Sequence, residues 1–208
     1  MAERYADLLA TAGIERGLLG PREAGRIWDR HLLPSAALAE LVPAGASVLD
    51  VGSGAGLPGI PLAIARPDLV VTLLEPMQRR CAFLEECVAV LALSNVSVRR
   101  GRAEDLAGVV TADVVTARAV ARLPRLVALT VSLCRPGGSV LAVKGETVMD
   151  ELAELDVRRA KNGLTVPTAL RRQGVDAIDV VTAGYGMIDP PTTAVRVRMR
   201  GAGQRERR

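Results

Sequence analysis

Residues 47 to 59, Ser-Val-Leu-Asp-Val-Gly-Ser-Gly-Ala-Gly-Leu-Pro-Gly, carry an apolar run straight into a turn with glycines at 52, 54, 56 and 59. A β-branched run ending in an acid, Asp50, reads as a buried strand. Glycine lacks a Cβ and tolerates positive φ, so such a turn lets the backbone approach a ligand closely. The apolar segment Ile60 to Ala65 follows, and Pro58 and Pro61 are tolerable in a first helical turn. Strand, glycine turn and helix in that order predict a nucleotide-cofactor loop at the head of an α/β sheet.

Two frames compete for the glycines. Gly54-Ala55-Gly56-Leu57-Pro58-Gly59 fits the dinucleotide pattern G-x-G-x-x-G, and Glu75 lies about twenty residues on, where an acid would bind a ribose. The other frame is Asp50-x-Gly52-x-Gly54-x-Gly56, with the acid inside the strand's end. It resembles the first motif of Rossmann-like S-adenosylmethionine-dependent methyltransferases, whose glycine loop carries the methionine part of the cofactor.

The order of elements favours the second frame. Strands are predicted at 47–51, Val70–Leu74 (ending at Glu75), Val96–Val98, Asp113–Ala117 and Ser139–Val143. Helices are predicted at about 77–93 (apolar at Cys81, Leu84, Val88 and Leu91), 123–133 and 148–161, the last ending at Asn162-Gly163. Two β-rich stretches, Ile178–Thr182 and Thr193–Met199, close the chain around a Pro190-Pro191 turn. Alternating units predict a doubly faced α/β sheet. The expected architecture is a seven-stranded, mostly parallel class I methyltransferase sheet with an antiparallel last strand and a short helical leader. The segments read as a leader over 1–43, a cofactor-binding domain over 44–200 and a basic tail over 201–208. A dehydrogenase would ordinarily need a further substrate domain.

At 208 residues, 49% hydrophobic and 24% charged, the chain can bury a good core. No apolar run approaches the length of a membrane span and no signal-peptide pattern opens the chain, so a cytoplasmic protein is expected; separately, a monomer is expected. Cys81, Cys87 and Cys134 are expected to stay reduced and buried, with no metal spacing. The net charge is only +4, but Arg196, Arg198, Arg200, Arg205, Arg207 and Arg208 crowd the end of the chain. Such arginines suit RNA phosphates, or else express a bias toward arginine, since Lys144 and Lys161 are the only lysines. Aromatics are scarce, so base-stacking platforms look largely missing.

Several spaced elements resemble one family. Ile27-Trp28-Asp29-Arg30-His31-Leu32-Leu33 is similar to the W-x-R-H-(I/L)-L element of the RsmG family, also called glucose-inhibited division protein B. The loop's Leu57-Pro58-Gly59-Ile60-Pro61-Leu62 extension, Arg102-Ala103-Glu104, Thr116-Ala117-Arg118-Ala119 and Val143-Lys144-Gly145 match it too. The resemblance implies a 16S rRNA methyltransferase, acting on the rRNA or a small-subunit assembly particle, that uses S-adenosylmethionine to methylate guanine N7 in the helix-18 loop. It places Gly52 and Leu57 on the cofactor, Ala103 and Glu104 by its adenine, and Arg118 in the cleft between cofactor and substrate. With Asp50, Gly54, Gly56 and Glu75, these residues form the expected cofactor site. Arg118 and Lys144, at strand ends, are the expected positioning and electrostatic groups. His31 is a secondary candidate, and Trp28 is expected to pack the leader onto the sheet. The family's usual D/N-S/C pair is Pro34-Ser35 here, and the leader is short.

Guanine N7 carries a free lone pair, so attack on a sulfonium methyl needs no base. Catalysis reduces to in-line positioning and charge management. No Ser/His/Asp set or cysteine nucleophile is then required, and Asp189-Pro190-Pro191-Thr192 reads as a turn. The alternatives are a methyltransferase for another RNA or a small molecule, a cofactor-binding RNA-associated protein without activity, and an NAD-dependent oxidoreductase.

Overall fold

The computed structural model describes residues 1–145, 147–160 and 163–203. Strands β1 (Ser47–Val51), β2 (Val70–Glu75), β3 (Val96–Arg100), β4 (Ala112–Arg118) and β5 (Cys134–Val143) run parallel. The short pair β6 (Arg159–Ala160) and β7 (Gly163–Leu164) forms its own hairpin. β8 (Val175–Ala183) and β9 (Thr192–Met199) close the main sheet, with β9 antiparallel to both of its neighbours. The sheet order is β3-β2-β1-β4-β5-β9-β8. Its reversal between β1 and β4 is the switch point at which open α/β sheets bind ligands.

Side chains alternate between two cores, as a period of two requires. Val48, Val71, Leu73 and Val114 pack on one face with Tyr5, Leu9, Leu38 and Phe83. Leu49, Val51, Leu74 and Val115 pack on the other with Leu123, Val127, Leu152 and Leu170. Helix α1 (Ala2–Leu8), its π-helical continuation Leu9–Gly13 and the segment from Ile27 through α2 (Leu33–Ala37) therefore share a core with α3 (Gly59–Ala65) and α4 (Gln78–Leu91). Helices α5 (Leu123–Thr130), α6 (Val148–Glu154) and α7 (Thr168–Arg172) follow on the chain.

Polar pins set the register. Asp113 Oδ2 accepts from both the amide and the hydroxyl of Ser47, at 2.8 and 2.6 Å, locking β1 to β4. Asn95 donates its side-chain amide to the carbonyls of Ala63 and Leu69, tying the end of α3 to the start of β3.

The expected helix over 148–161 stops at Glu154. Asp156 turns the chain with φ 57°, and the β6–β7 hairpin follows. The expected cap at Asn162 lies outside the described residues. The Arg135–Gly138 turn is a bulge within β5, whose pairing with β4 jumps from Ala112↔Cys134 to Val114↔Ser139. Trp28 does not pack the leader onto the sheet. The turn Ile27–Leu32 buries Ile27, His31 and Leu32 and leaves Trp28 40% exposed on its other side.

Candidate active site

The glycine loop is built by backbone bonds that only its sequence allows. Gly52 and Ser53 donate their amides to the Leu74 carbonyl at 2.8 and 3.1 Å, which draws the loop over the end of β2. Gly52, Gly54 and Gly56 hold φ values of 68°, 57° and 98°, in the region that L side chains rarely enter. A Cβ on Gly56 would lie 2.5 Å from Ile60 Cδ1 and 2.8 Å from the Tyr5 hydroxyl, whereas one on Gly54 would meet only the Gly52 carbonyl, at 3.7 Å. Gly56 is thus a packing requirement, and Gly54 is the open face of the loop.

Three side chains hold that shape from beneath. Asp50 is wholly buried: one oxygen accepts the Gly59 amide at 3.1 Å and the other the Thr116 hydroxyl at 3.0 Å. Burial pushes its carboxyl up to about 6, against the pull of those hydrogen bonds. Asp50 therefore lies under the loop and not on its ligand face. The Tyr5 hydroxyl donates to the Ala55 carbonyl at 2.7 Å, a strut from α1. Glu75 accepts the Gly54 amide on Oε2 at 3.0 Å and the Met77 amide on Oε1 at 2.9 Å, with Arg80 3.9 Å away. An ionised carboxylate offers about four lone-pair sites, so hydroxyls of a bound ribose would share oxygens that already anchor the loop. Leu57 is buried within the loop, Ala103 is buried past β3, and Glu104 is exposed at the start of a short turn of 3₁₀ helix.

Beside the loop, past the ends of β4, β5 and the start of β9, lies an open cavity of about 1060 Å³. Arg26, Arg30, Arg118, Arg122 and Lys144 line it against Asp29, Glu151 and Asp189. Gly52, Gly54 and Glu75 are not in its wall, but Val120 is, and Val120 Cγ2 lies 2.8 Å from where a Gly52 Cβ would stand. Loop and cavity thus adjoin across one side chain. Val120 is placed there by Ala119, which takes φ 54° despite its Cβ.

Arg118 leaves β4 into this cavity and is held by the leader. Nη1 donates to the His31 carbonyl (3.4 Å) and the Ser35 hydroxyl (3.2 Å), while Nη2 donates to the Arg30 carbonyl and to His31 Nδ1, both at 2.8 Å. His31 Nε2 in turn lies 2.7 Å from Glu23 Oε2. Burial, then the charge of Arg118, hold the imidazole below its ordinary pKa, and the hydrogen bond from His31 holds Glu23 low. Ser35, the second member of the altered pair, keeps a contact with Arg118, while the Pro34 carbonyl accepts from Thr192 at 2.9 Å.

Lys144 has a different setting. Its Nζ donates to the Ala121 carbonyl at 2.9 Å and to Glu151 Oε2 at 2.7 Å, and that same oxygen accepts the Leu123 amide at 2.6 Å. Against the cost of burial, those bonds hold Glu151 below the usual carboxylate range. Lys144 thus clasps the loop after β4 to α5 and α6. Of the candidate RNA contacts, Arg196 and Arg198 each lie about 3.3–3.4 Å from Asp179 across β8 and β9, while Arg205, Arg207 and Arg208 lie outside the described residues. All three cysteines are buried, and desolvation pushes Cys87 and Cys134 to about 12, so neither is a nucleophile. Among the described residues no cluster could hold a metal ion and no helix is long and apolar enough to cross a membrane.

Tyr5, Glu23, Thr116 and Val120 escape sequence reasoning as individual site residues. Thr116 sits in the quoted Thr116-Ala117-Arg118-Ala119 element, but the others make contacts that no local pattern announces.

The profile of one family, GidB, "rRNA small subunit methyltransferase G", matches residues 1–173. The Ribosomal RNA small subunit methyltransferase G of Thermobifida fusca is 53% identical over 197 residues, covering 95% of this chain and 78% of that protein. Its namesake in Streptomyces avermitilis is 51% identical over 199 residues, covering 95% and 79%. Among solved structures, M. jannaschii TYW2 in complex with AdoMet aligns with a TM-score of 0.55 at 16% identity, over 80% of this chain and 74% of that one. At that identity the likeness is one of fold.

Proposed function

The chain belongs to the GidB family, rRNA small subunit methyltransferase G, and from that membership we propose that it methylates guanine N7 in the helix-18 loop of 16S rRNA. Family and fold together make it an S-adenosylmethionine-dependent methyltransferase of small-subunit rRNA. The observation that most supports a nucleotide acceptor is the junction at Val120, where an open glycine loop meets an arginine-lined cavity of about 1060 Å³, roomy enough for a nucleotide with its phosphates.

The residues present fit the cofactor. Gly54 opens a positive-φ backbone to it, Glu75 is buried at the end of β2 with its carboxylate on the Gly54 amide, and Ala103 and Glu104 follow β3, where the family resemblance would have the adenine lie. Gly52 and Leu57 shape the loop, and Asp50 and Gly56 act on it from beneath. S-adenosylmethionine supplies the electrophilic sulfonium methyl. This chain's part is to orient and to manage charge. The terminal hydrogens of Arg118 are committed to Arg30, His31 and Ser35, so it offers the cleft its Nε–H and its fixed cation. Arg26, Arg30 and Arg122 around it, Arg30 shared with Glu23 and Arg122 with Glu154, leave a wall with more cations than anions, which favours a polyanionic substrate. No group here is needed to take a proton, because N7 has none to lose.

The test is nucleoside mass spectrometry of the helix-18 fragment of 16S rRNA from cells with and without the gene. The 7-methylguanosine should vanish on deletion and return on complementation. Its persistence in the deletion strain would refute the assignment. A small-molecule methyltransferase would instead turn over without RNA and at a rate indifferent to salt.

A further inference from the structure

We propose that His31 is a positioning residue: held as the neutral Nε2–H tautomer, it fixes the Arg118 guanidinium in the cleft and couples it to Glu23 of the leader. The inference rests on the reading of that cleft as the site of methyl transfer. The tautomer follows from donor chemistry. A guanidinium can only donate, so the 2.8 Å approach of Arg118 Nη2 requires a lone pair on His31 Nδ1. Nε2, 2.7 Å from the Glu23 carboxylate, then carries the hydrogen. The ring relays a cation on β4 to an anion on the leader without bearing charge itself. Arg30 Nη1 holds the other Glu23 oxygen at 3.0 Å.

Protonation of the ring would set an N–H against the N–H of Arg118 and expel one of them. A fixed charge displaced by about an ångström can cost on the order of a hundredfold in rate. The groups facing the ring are Arg118 from β4 and Glu23 and Arg30 from the leader; Arg26 acts on Glu23, and Asp50 and Tyr5 act on Arg118. The relay makes the methyl-transfer cleft sensitive to where the leader sits, since four bonds from residues 30, 31 and 35 set the guanidinium plane.

His31 is the only histidine in the chain, so long-range proton–nitrogen NMR reads it alone. The expected spectrum at pH 7.5 is a neutral Nε2–H ring. Arg118→Leu should raise its pKa and Glu23→Gln should lower it. In methylation assays, His31→Leu should lose at least about tenfold in kcat. His31→Asn, whose amide oxygen can stand where Nδ1 does, should recover most of that. The acidic fall in kcat should shrink in His31→Asn relative to the wild type. A cationic or Nδ1–H ring at pH 7.5, equal loss in the Leu and Asn variants, or an unchanged acidic fall would each overturn the proposal. Wild-type protein that leaves 16S rRNA unmethylated would instead defeat the functional reading, while the NMR result would still judge the relay.

Discussion

Gly54→Asp separates the loop's fold from its ligand face. The structure predicts that the variant folds, because a Cβ at residue 54 meets only the Gly52 carbonyl at 3.7 Å. The cost is backbone strain at φ 57°, about 1–2 kcal/mol for a non-glycine residue, and aspartate is among the side chains that bear it best. For a chain of this size that corresponds to roughly 2–8 °C in Tm. Cofactor binding should suffer far more. Two carboxylates brought within about 5 Å of each other repel by about 3 kcal/mol at an effective dielectric near 20, so a cofactor whose carboxylate rests on the Gly54 backbone would lose a few-hundred-fold in Kd. Glu75, which accepts the Gly54 amide at 3.0 Å, also repels the new carboxylate, but it does so in the free protein and so adds to the folding cost of the Asp variant, not to its loss of affinity. Gly54→Asn is the control, with equal strain and no charge, and should lose less than about tenfold. Calorimetric titration of both folded variants with S-adenosylmethionine decides the matter. Equal affinities for Asp and Asn would refute the placement of the cofactor carboxylate against Gly54.

Lys144→Met should leave Glu151 without its cation in a nearly buried site, where side-chain exposures are 9% and 11%. Breaking such a pair costs about 3–5 kcal/mol, seen as a fall in Tm that Glu151→Gln in the same chain, which removes the charge but keeps an acceptor for the Leu123 amide, largely restores; no fall would show that the clasp is not structural. Asp50→Asn should stabilise increasingly with pH. The native carboxyl, near 6 against 3.8 unfolded, binds more protons than the unfolded chain between those values, so ionisation costs the wild type about 2–3 kcal/mol between pH 4 and pH 8. The stability difference between variant and wild type should widen by that amount, and a pH-independent offset would contradict the burial argument. Ala119→Gly should relieve the strain at φ 54° and raise Tm by about 2–4 °C, with an unchanged melting curve counting against it.

The strands were legible because burial imposes a period of two, and β1 begins and ends where its apolar run does. The glycine loop was legible because positive φ restricts residue choice. The charged stretch 148–161 has helical composition throughout, yet the chain reverses at Asp156 and pairs as a hairpin. Lys144 at a strand end suggests a ligand contact, but a carboxylate one helical turn into α6 takes its charge. Trp28 shows the same limit: its size argues for burial, whereas the turn's phase decides which side faces the core. Tyr5 is invisible in the sequence because its partner lies 50 residues away, whereas Glu23 has near neighbours as partners, Arg30 and His31, but meets them through an irregular turn whose phase no simple period gives.

That strut from Tyr5 bears on how far the sheet is a transplantable module. A chimera joining residues 44 onward to a foreign N-terminal segment would keep every glycine of the loop. It would also leave the Ala55 carbonyl without its donor and a void where the phenol fills the space beside Gly56 and Ile60. An unsatisfied buried acceptor costs about 1–3 kcal/mol, levied on the segment that must hold its shape to bind. The loop is therefore inherited only together with its leader. Exchange of parts between relatives is constrained to fragments that carry both, however far apart they lie in the gene.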